Sequence, residues 1–298
     1  MQAGTTAGML DGKEVAARVR DDLKRRVEGF SGKGCRAPGL AVILIGDNPA
    51  SHLYVKNKVQ ACKKVGIESF LHQFPQAVAA EEVLASIERL NSDCSVDGIL
   101  VQLPLPAHLP TERILDAVLP GKDVDGLHPV NMGLLACGKQ GLRPCTPQGV
   151  IVLLEHYRVP FEGRHAVVIG RSNLVGKPVA FMLLEKNATV TICHSRSREL
   201  DAIARTADIL VVAAGRPCMV RGSWIKPGAV VVDVGIHKRT IAEGPKAGES
   251  EVVGDVDFQE ASRVASLITP VPGGVGPMTV AMLLSNTLTA YERHIAGK

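Results

Sequence analysis

Residues 165–186 read HAVVIGRSNLVGKPVAFMLLEK: His165-Ala166-Val167-Val168-Ile169 followed by Gly170-Arg171-Ser172-Asn173-Leu174-Val175-Gly176-Lys177-Pro178, then VAFMLLEK. The β-branched apolar run at 165–170 predicts a buried strand, and the run from 179 predicts a helix. A strand, a tight turn and a helix N-terminus in succession place free amides and the positive dipole end where a pyrophosphate can sit. The spacing is G-x-S-x-x-x-G, not G-x-G-x-x-G, so a plain glycine turn between strand and helix stays open as the alternative.

The following strand, TVTICH at 189–194, ends where NAD-preferring sites hold an acid against the ribose 2′-hydroxyl. Here that position reads His194-Ser195-Arg196-Ser197-Arg198, with no acid. Hydroxyls and guanidiniums suit a 2′-phosphate, which a carboxylate would repel. The alternative is a solvated basic turn. The pattern favours NADP over NAD.

Working outward, the strands DILVVAA (208–214) and AVVVDV (229–234) continue the alternation. Toward the N-terminus come a helix at 11–30, a strand at 40–45, a helix at 50–65, a strand at 67–74, a helix at 80–90 and a strand at 98–103. Helices alternating with short apolar strands predict parallel sheets covered on both faces. PCTPQG at 144–149 breaks the pattern with two prolines and a glycine. The expectation is an α/β fold with a first domain at 1–146, a Rossmann domain at 147–278 and a last helix at 279–298. Before that helix, ITPVPGGVGPMT (268–279) is too rich in proline and glycine for helix interior or central strand. It predicts a stiff loop with bare backbone.

The 298 residues suffice for two cores. Lys plus Arg exceeds Asp plus Glu by only 4 (34 against 30), which argues against general nucleic-acid binding and suits an anionic small ligand. Aromatic residues at 3% rule against stacking platforms for single strands. Seven scattered cysteines without CxxC read as reduced thiols of a cytoplasmic protein, and no ligand-spaced cluster suggests a metal. MQAGTTAGML has no apolar run suited to a signal peptide, and no stretch approaches the roughly 20 apolar residues of a membrane span.

In the first domain, Tyr54 and Lys58 stand at i and i+4, one turn apart on one helical face. Short-chain dehydrogenases also use Tyr-x-x-x-Lys, but after the glycine turn of a single Rossmann domain; here the pair precedes that turn by a whole domain. Gln102, in Val101-Gln102-Leu103-Pro104, falls at a strand end, where open α/β sheets place ligand groups. Asp123 and Asp125 share the turn KDVDGL, which lacks the other ligands of an EF-hand. Asp123 is expected to be a solvated turn residue.

YVKNK, VQLPLP, KDVDGLHPVN, PCTPQG, GRSNLVGKP and ITPVPGGVGPMT occur in the order found in the bifunctional methylenetetrahydrofolate dehydrogenase/methenyltetrahydrofolate cyclohydrolase family. The resemblance runs from about residue 10 to the last helix, without an appended synthetase domain. It implies a homodimer, NADP as cofactor, and a folate held in a cleft between the domains, with the last helix returning to the first domain. By matching position, Tyr54 would stack on the pterin, Lys58 would be the catalytic lysine, Gln102 would bond Lys58, and Asp125 would hold the pterin ring. A carboxylate can accept the two adjacent N–H donors of a 2-amino-4-oxo pyrimidine edge as a pair.

The resemblance also implies a folate-contacting loop of Pro272, Gly273, Gly274, Val275 and Gly276. Ser51, Val101, Leu103, Cys145 and Thr146 fall in matching pocket segments, and Thr146, Gly170, Arg171, Ser172, Ser195, Arg196 and Ile236 are expected on the NADP side. The implied chemistry is oxidation of 5,10-methylenetetrahydrofolate by NADP+, then hydrolysis of the methenyl product to 10-formyltetrahydrofolate. Lys58 would serve the proton transfers, as a base or as a fixed cation. A shikimate-dehydrogenase-like enzyme would not need DVDG and PVPGGVGPMT together. A non-catalytic folate- or NADP-binding protein would not need Tyr54, Lys58, Gln102 and Asp125 intact.

Overall fold

The computed structural model describes residues 7–240 and 249–297, so residues 1–6 of the expected first domain and Lys298 of the expected last helix lie outside the described residues. The chain divides into two compact units, one of Met1–Ala16 with Thr146–Thr279, the other of Ala17–Cys145 with Val280–Lys298. Both belong to the α/β class and each has its own parallel sheet. No described helix is long and apolar enough to cross a membrane.

The second of these units contains a three-stranded sheet, ordered Glu68–Phe74, Gly39–Ile45, Gly98–Val101. Gly39–Ile45 is wholly buried, so an unbroken apolar strand sits at the centre, as burial on both faces demands. It pairs in parallel with both neighbours, which makes its C-terminal end the point where the strand order reverses. Helix Pro49–Val65 leaves that end, capped by Asn48, whose side chain accepts from the Ala50 and Ser51 N–H groups. Ile43, Val83, Ile87, Ile99 and Ile114 are among the residues of this core.

The C-terminal helix Val275–Ile295 anchors on this unit through its later turns. Asp97, fully buried as a side chain, accepts from both Arg36 guanidinium nitrogens at 2.7 Å, and His294 Nδ1 lies 2.8 Å from it. Tyr291 donates to the Arg36 carbonyl at 2.7 Å, and Glu292 accepts from Arg26 at 2.8 Å.

The other unit contains six parallel strands in the order Gly8–Met9, Leu267–Ile268, Val230–Asp233, Ile209–Val212, His165–Ile169, Thr189–Cys193. Again the first strand of the alternation, His165–Ile169, pairs on both sides, so the reversal lies at its C-terminal end. Ile169 sits opposite both Cys193 and Val212, which brings the three strand ends level.

Three expectations change, and one further element appears. The first domain was expected to take residues 1–146, but Gly8–Met9 joins the sheet of the other unit, beside Leu267–Ile268. PCTPQG does not interrupt regular structure. Helix Cys145–His156 begins inside it, because a proline in a first turn gives up an amide that has no helical partner there. For the same reason the last helix starts at Val275 and not at 279, so Gly276 and Pro277 form its opening turn. Finally, His237–Thr240 and Ser250–Val253 pair antiparallel, apart from the parallel sheets.

Candidate active site

Lys58 projects from helix Pro49–Val65, seven residues after the buried Ser51 and one turn after Tyr54, which is 46% exposed. Its Nζ donates to Gln102 Oε1 at 3.0 Å. Gln102 follows the strand Gly98–Val101 and its own N–H extends the ladder to the Ile43 carbonyl at 2.9 Å. Its side-chain Nε2 donates to the Leu103 carbonyl at 2.6 Å, which turns the oxygen toward Lys58. Both groups therefore stand at the reversal point of the three-stranded sheet, where ligand groups gather.

Asp125 reaches the same region by a different device. The Ile99 N–H bonds the Lys122 carbonyl at 2.7 Å, so the turn lies along the edge strand. Gly126 has φ +71, and a Cβ there would overlap the Arg143–Pro144 backbone, so only glycine allows this approach. Burial pushes the Asp125 carboxyl above its ordinary range, Asp123 adds to this, and the Lys58 charge opposes it. Cys145 is buried, donates to the Val124 carbonyl at 3.2 Å, and is pushed well up by burial and by Asp125.

Asp123 is not solvated. It is 6% exposed and accepts from the Leu127 and His128 N–H groups and from Asn131 Nδ2 at 2.8–3.2 Å. The two acids of one turn thus divide: Asp123 holds the turn, while Asp125 lies within reach of the Lys58 charge.

In the six-stranded unit, a cavity of about 480 Å³ opens at the C-terminal strand ends. Gly170, Arg171, Ser172, His194, Ser195 and Arg216 line it, with Met219 and Trp224 as its apolar wall. Gly170 has φ +133, and a Cβ there would overlap the Ala213 carbonyl; one on Gly176 would overlap the Gly170 carbonyl. At these two glycines the turn packs directly on itself and on the neighbouring strand end, leaving no room for a side chain. Ser172 Oγ accepts from the Val175 and Gly176 N–H groups at 3.1 and 3.4 Å, closing the turn into helix Gly176–Glu185. Arg196 is exposed with its N–H on His194 Nδ1, and Ile236 is 55% exposed; neither lines the cavity.

Thr146 places its hydroxyl 2.9 Å from that of Thr279. The loop at 272–274 is buttressed by residues that sequence reading passed over. Lys13 donates its N–H to the Gly273 carbonyl at 3.1 Å, and a Cβ on Gly12 would overlap the Gly274 carbonyl. Gly274 in turn donates to Pro270 at 2.8 Å, and helix Val275–Ile295 starts immediately after.

A tetrahydrofolate dehydrogenase/cyclohydrolase catalytic-domain profile matches residues 10–125, and the NAD(P)-binding-domain profile of the same family matches 144–295. This chain belongs to the tetrahydrofolate dehydrogenase/cyclohydrolase family. It is 52% identical to the bifunctional protein FolD of Bordetella petrii over 98% of this chain and 96% of that one. Over 97% of this chain and 99% of the other, it is 51% identical to the FolD of Pelobacter propionicus. The crystal structure of the Campylobacter jejuni bifunctional FolD superposes with a TM-score of 0.91 at 47% identity, covering 96% and 99%. That of Trypanosoma brucei FolD, complexed with NADP cofactor and inhibitor, gives 0.92 at 39%, covering 98% and 99%.

Three residues of this family member were missed from sequence. Arg216 lines the cavity at the end of a strand, signalled only by the break VVAAGRP. Asn286, a lone amide among apolar residues, donates to the Val124 and Arg143 carbonyls, each at 2.8 Å, and so clamps the Asp125 turn to the segment before Cys145. Gly12 was hidden in an ordinary helix start. Among the described residues no group of three or more His, Cys, Asp or Glu could hold a metal ion.

Proposed function

We infer that this protein oxidises 5,10-methylenetetrahydrofolate with NADP+ and hydrolyses the methenyl product to 10-formyltetrahydrofolate. The observation that carries the reading is Lys58 held by Gln102 at 3.0 Å, within range of the Asp125 charge, in a chain of this family.

Tyr54 offers an exposed ring for stacking on the pterin, and Asp125 offers a carboxylate for its paired N–H donors. Ser51, Val101, Leu103 and Cys145 are assigned to the folate as well, and so, from the family resemblance, are Pro272, Gly273, Gly274, Val275 and Gly276. Loss of hydride from the methylene carbon leaves a cation shared by two nitrogens. Water then adds to that carbon and releases one proton; one C–N bond breaks, its nitrogen takes up the remaining hydroxyl proton, and the C–O bond becomes the formyl carbonyl. Lys58 handles the proton transfers, and its bond to Gln102 fixes the Nζ position.

The tight glycine turn, Arg171, Arg216 and Ser195 fit a dinucleotide phosphate, and the absence of an acid at the strand end fits a 2′-phosphate. NADP+ supplies the hydride acceptor when bound. Gly170 and Ser172 shape its phosphate turn, with Thr146, Arg196 and Ile236 assigned to the same ligand.

The protein is further proposed to be a cytoplasmic homodimer. Its seven cysteines are all free, as a reducing compartment requires. Strand Thr189–Cys193 ends the sheet with Ile192 41% exposed, leaving an edge that a second copy can cover. The deciding assay follows the absorbance of the methenyl compound, with NADP+ and with NAD+. Formation without subsequent hydrolysis, or no formation with either dinucleotide, overturns the reading.

A further inference from the structure

Two buried carboxylates lie behind the rim of the dinucleotide cavity, and the chemistry above uses neither. Asp255 is 0% exposed, yet its oxygens serve the rim. Oδ2 accepts from the Ala214 N–H at 2.6 Å and the Gly215 N–H at 2.9 Å, and Oδ1 accepts from the Arg216 N–H at 2.8 Å. Ala214 and Arg216 themselves line the cavity. Oδ1 also lies 2.7 Å from Nε2 of His237, the residue after Ile236.

Asp233 holds Asp255 in turn. It accepts from the Gly235, Asp255 and Val256 N–H groups, each at 2.9 Å. A Cβ on Gly235 would press to 2.5 Å from the Asp255 carboxyl carbon, and one on Gly254 would overlap the Asp233 carboxylate. Glycines are therefore what let the two acids fit between three strand ends. Three consecutive amides turned away from any ladder onto one buried carboxylate is more than core filling requires. Each amide would otherwise be an unsatisfied donor at the cavity mouth.

We propose that Asp255 is a positioning residue for the dinucleotide: it fixes the 214–216 backbone at the cavity rim and, through His237, the segment that carries Ile236. The proposal rests on reading this cavity as the NADP site, and it adds a residue remote from the ligand that sets its affinity.

The test uses the two activities of the full-length protein against each other. Asp255→Asn keeps the volume but offers one acceptor oxygen and turns an NH2 toward N–H donors. The KM for NADP+ should rise about tenfold or more, with kcat at saturating NADP+ falling less. Hydrolysis of methenyltetrahydrofolate, assayed without dinucleotide, should stay near the wild-type rate. His237→Gln keeps a donor and should fall between the two proteins. An unchanged KM for NADP+ in Asp255→Asn overturns the proposal, as does equal loss of both activities, which marks a fold residue. A wild type that NADP+ does not saturate instead overturns the reading of the cavity, whatever the variant does.

Discussion

Lys58 and Gln102 are 44 residues apart in the chain and 3.0 Å apart in space, with the amide oxygen accepting from the ammonium. The geometry is set by a helix and a strand end of one unit: Lys58 comes from helix Pro49–Val65 and Gln102 from the end of strand Gly98–Val101. Lys58→Met removes the proposed proton-transfer group while keeping the stem. Hydrolysis of methenyltetrahydrofolate should be abolished and folate binding retained. Near-normal cyclohydrolase turnover would refute the assignment.

Asp125 is proposed to hold the pterin. Asp125→Ala leaves paired donors without an acceptor, at a cost of about 1–3 kcal/mol in folate affinity. NADP+ binding should be nearly intact, and equal losses for both ligands would indicate misfolding. Since burial holds this carboxyl above its ordinary range, it takes up a proton at a higher pH than an exposed Asp. Folate affinity should therefore weaken earlier on acidification than an ordinary carboxylate predicts, measured by titration across the acid range.

Ser195 lies on the cavity lining and is exposed, with Arg171 lining the same cavity. Ser195→Asp adds a like charge beside a 2′-phosphate and removes a hydroxyl donor. Charge-assisted bonds contribute about 1.5–3 kcal/mol, so kcat/KM for NADP+ should drop at least about tenfold. NAD+, with a ribose diol the carboxylate can accept, should lose little or gain. A wild type that works better with NAD+ contradicts this account.

Ile192 tests the proposed dimer. A lysine on an edge strand opposes pairing with another sheet, so Ile192→Lys should shift sedimentation from the dimer to the monomer mass. A variant that sediments like the wild type places the interface elsewhere.

Asp233 gives a stability signature. Burial pushes it up to about 6, against the ordinary 3.8, although three amides pull the other way. The folded protein thus binds this proton more tightly than the unfolded chain. Its contribution favours folding below about 3.8 and is lost as pH rises to about 6. Asp233→Asn removes that titration. Urea unfolding across this window should show a smaller decline with rising pH in the variant, and parallel profiles would disprove the shift.

Much of this protein was legible before any coordinates. Apolar β-branched runs specified strands because only both-face burial tolerates GLAVILI or HAVVI, and the strand–turn–helix at 165–186 was legible as the turn now proposed for the dinucleotide phosphate. The positions of Tyr54, Lys58, Gln102 and Asp125 on a helical face, at a strand end and in a turn were legible too, while the roles proposed for them come from the family resemblance and not from local pattern.

What the sequence could not decide is anything set by contacts between distant segments. Nothing local in GML at 8–10 says that it closes the edge of a sheet completed by Leu267–Ile268, since strand partners are chosen by the whole fold. Asp123 and Asp125 look alike in KDVDGL, and only the packing of Asn131 against one and Lys58 near the other separates an anchor from a ligand group. Likewise Gly12, Arg216, Asn286 and Asp255 bear no motif. Their importance comes from backbone groups brought to them from far along the chain, where a missing Cβ or one added acceptor determines whether the segments meet.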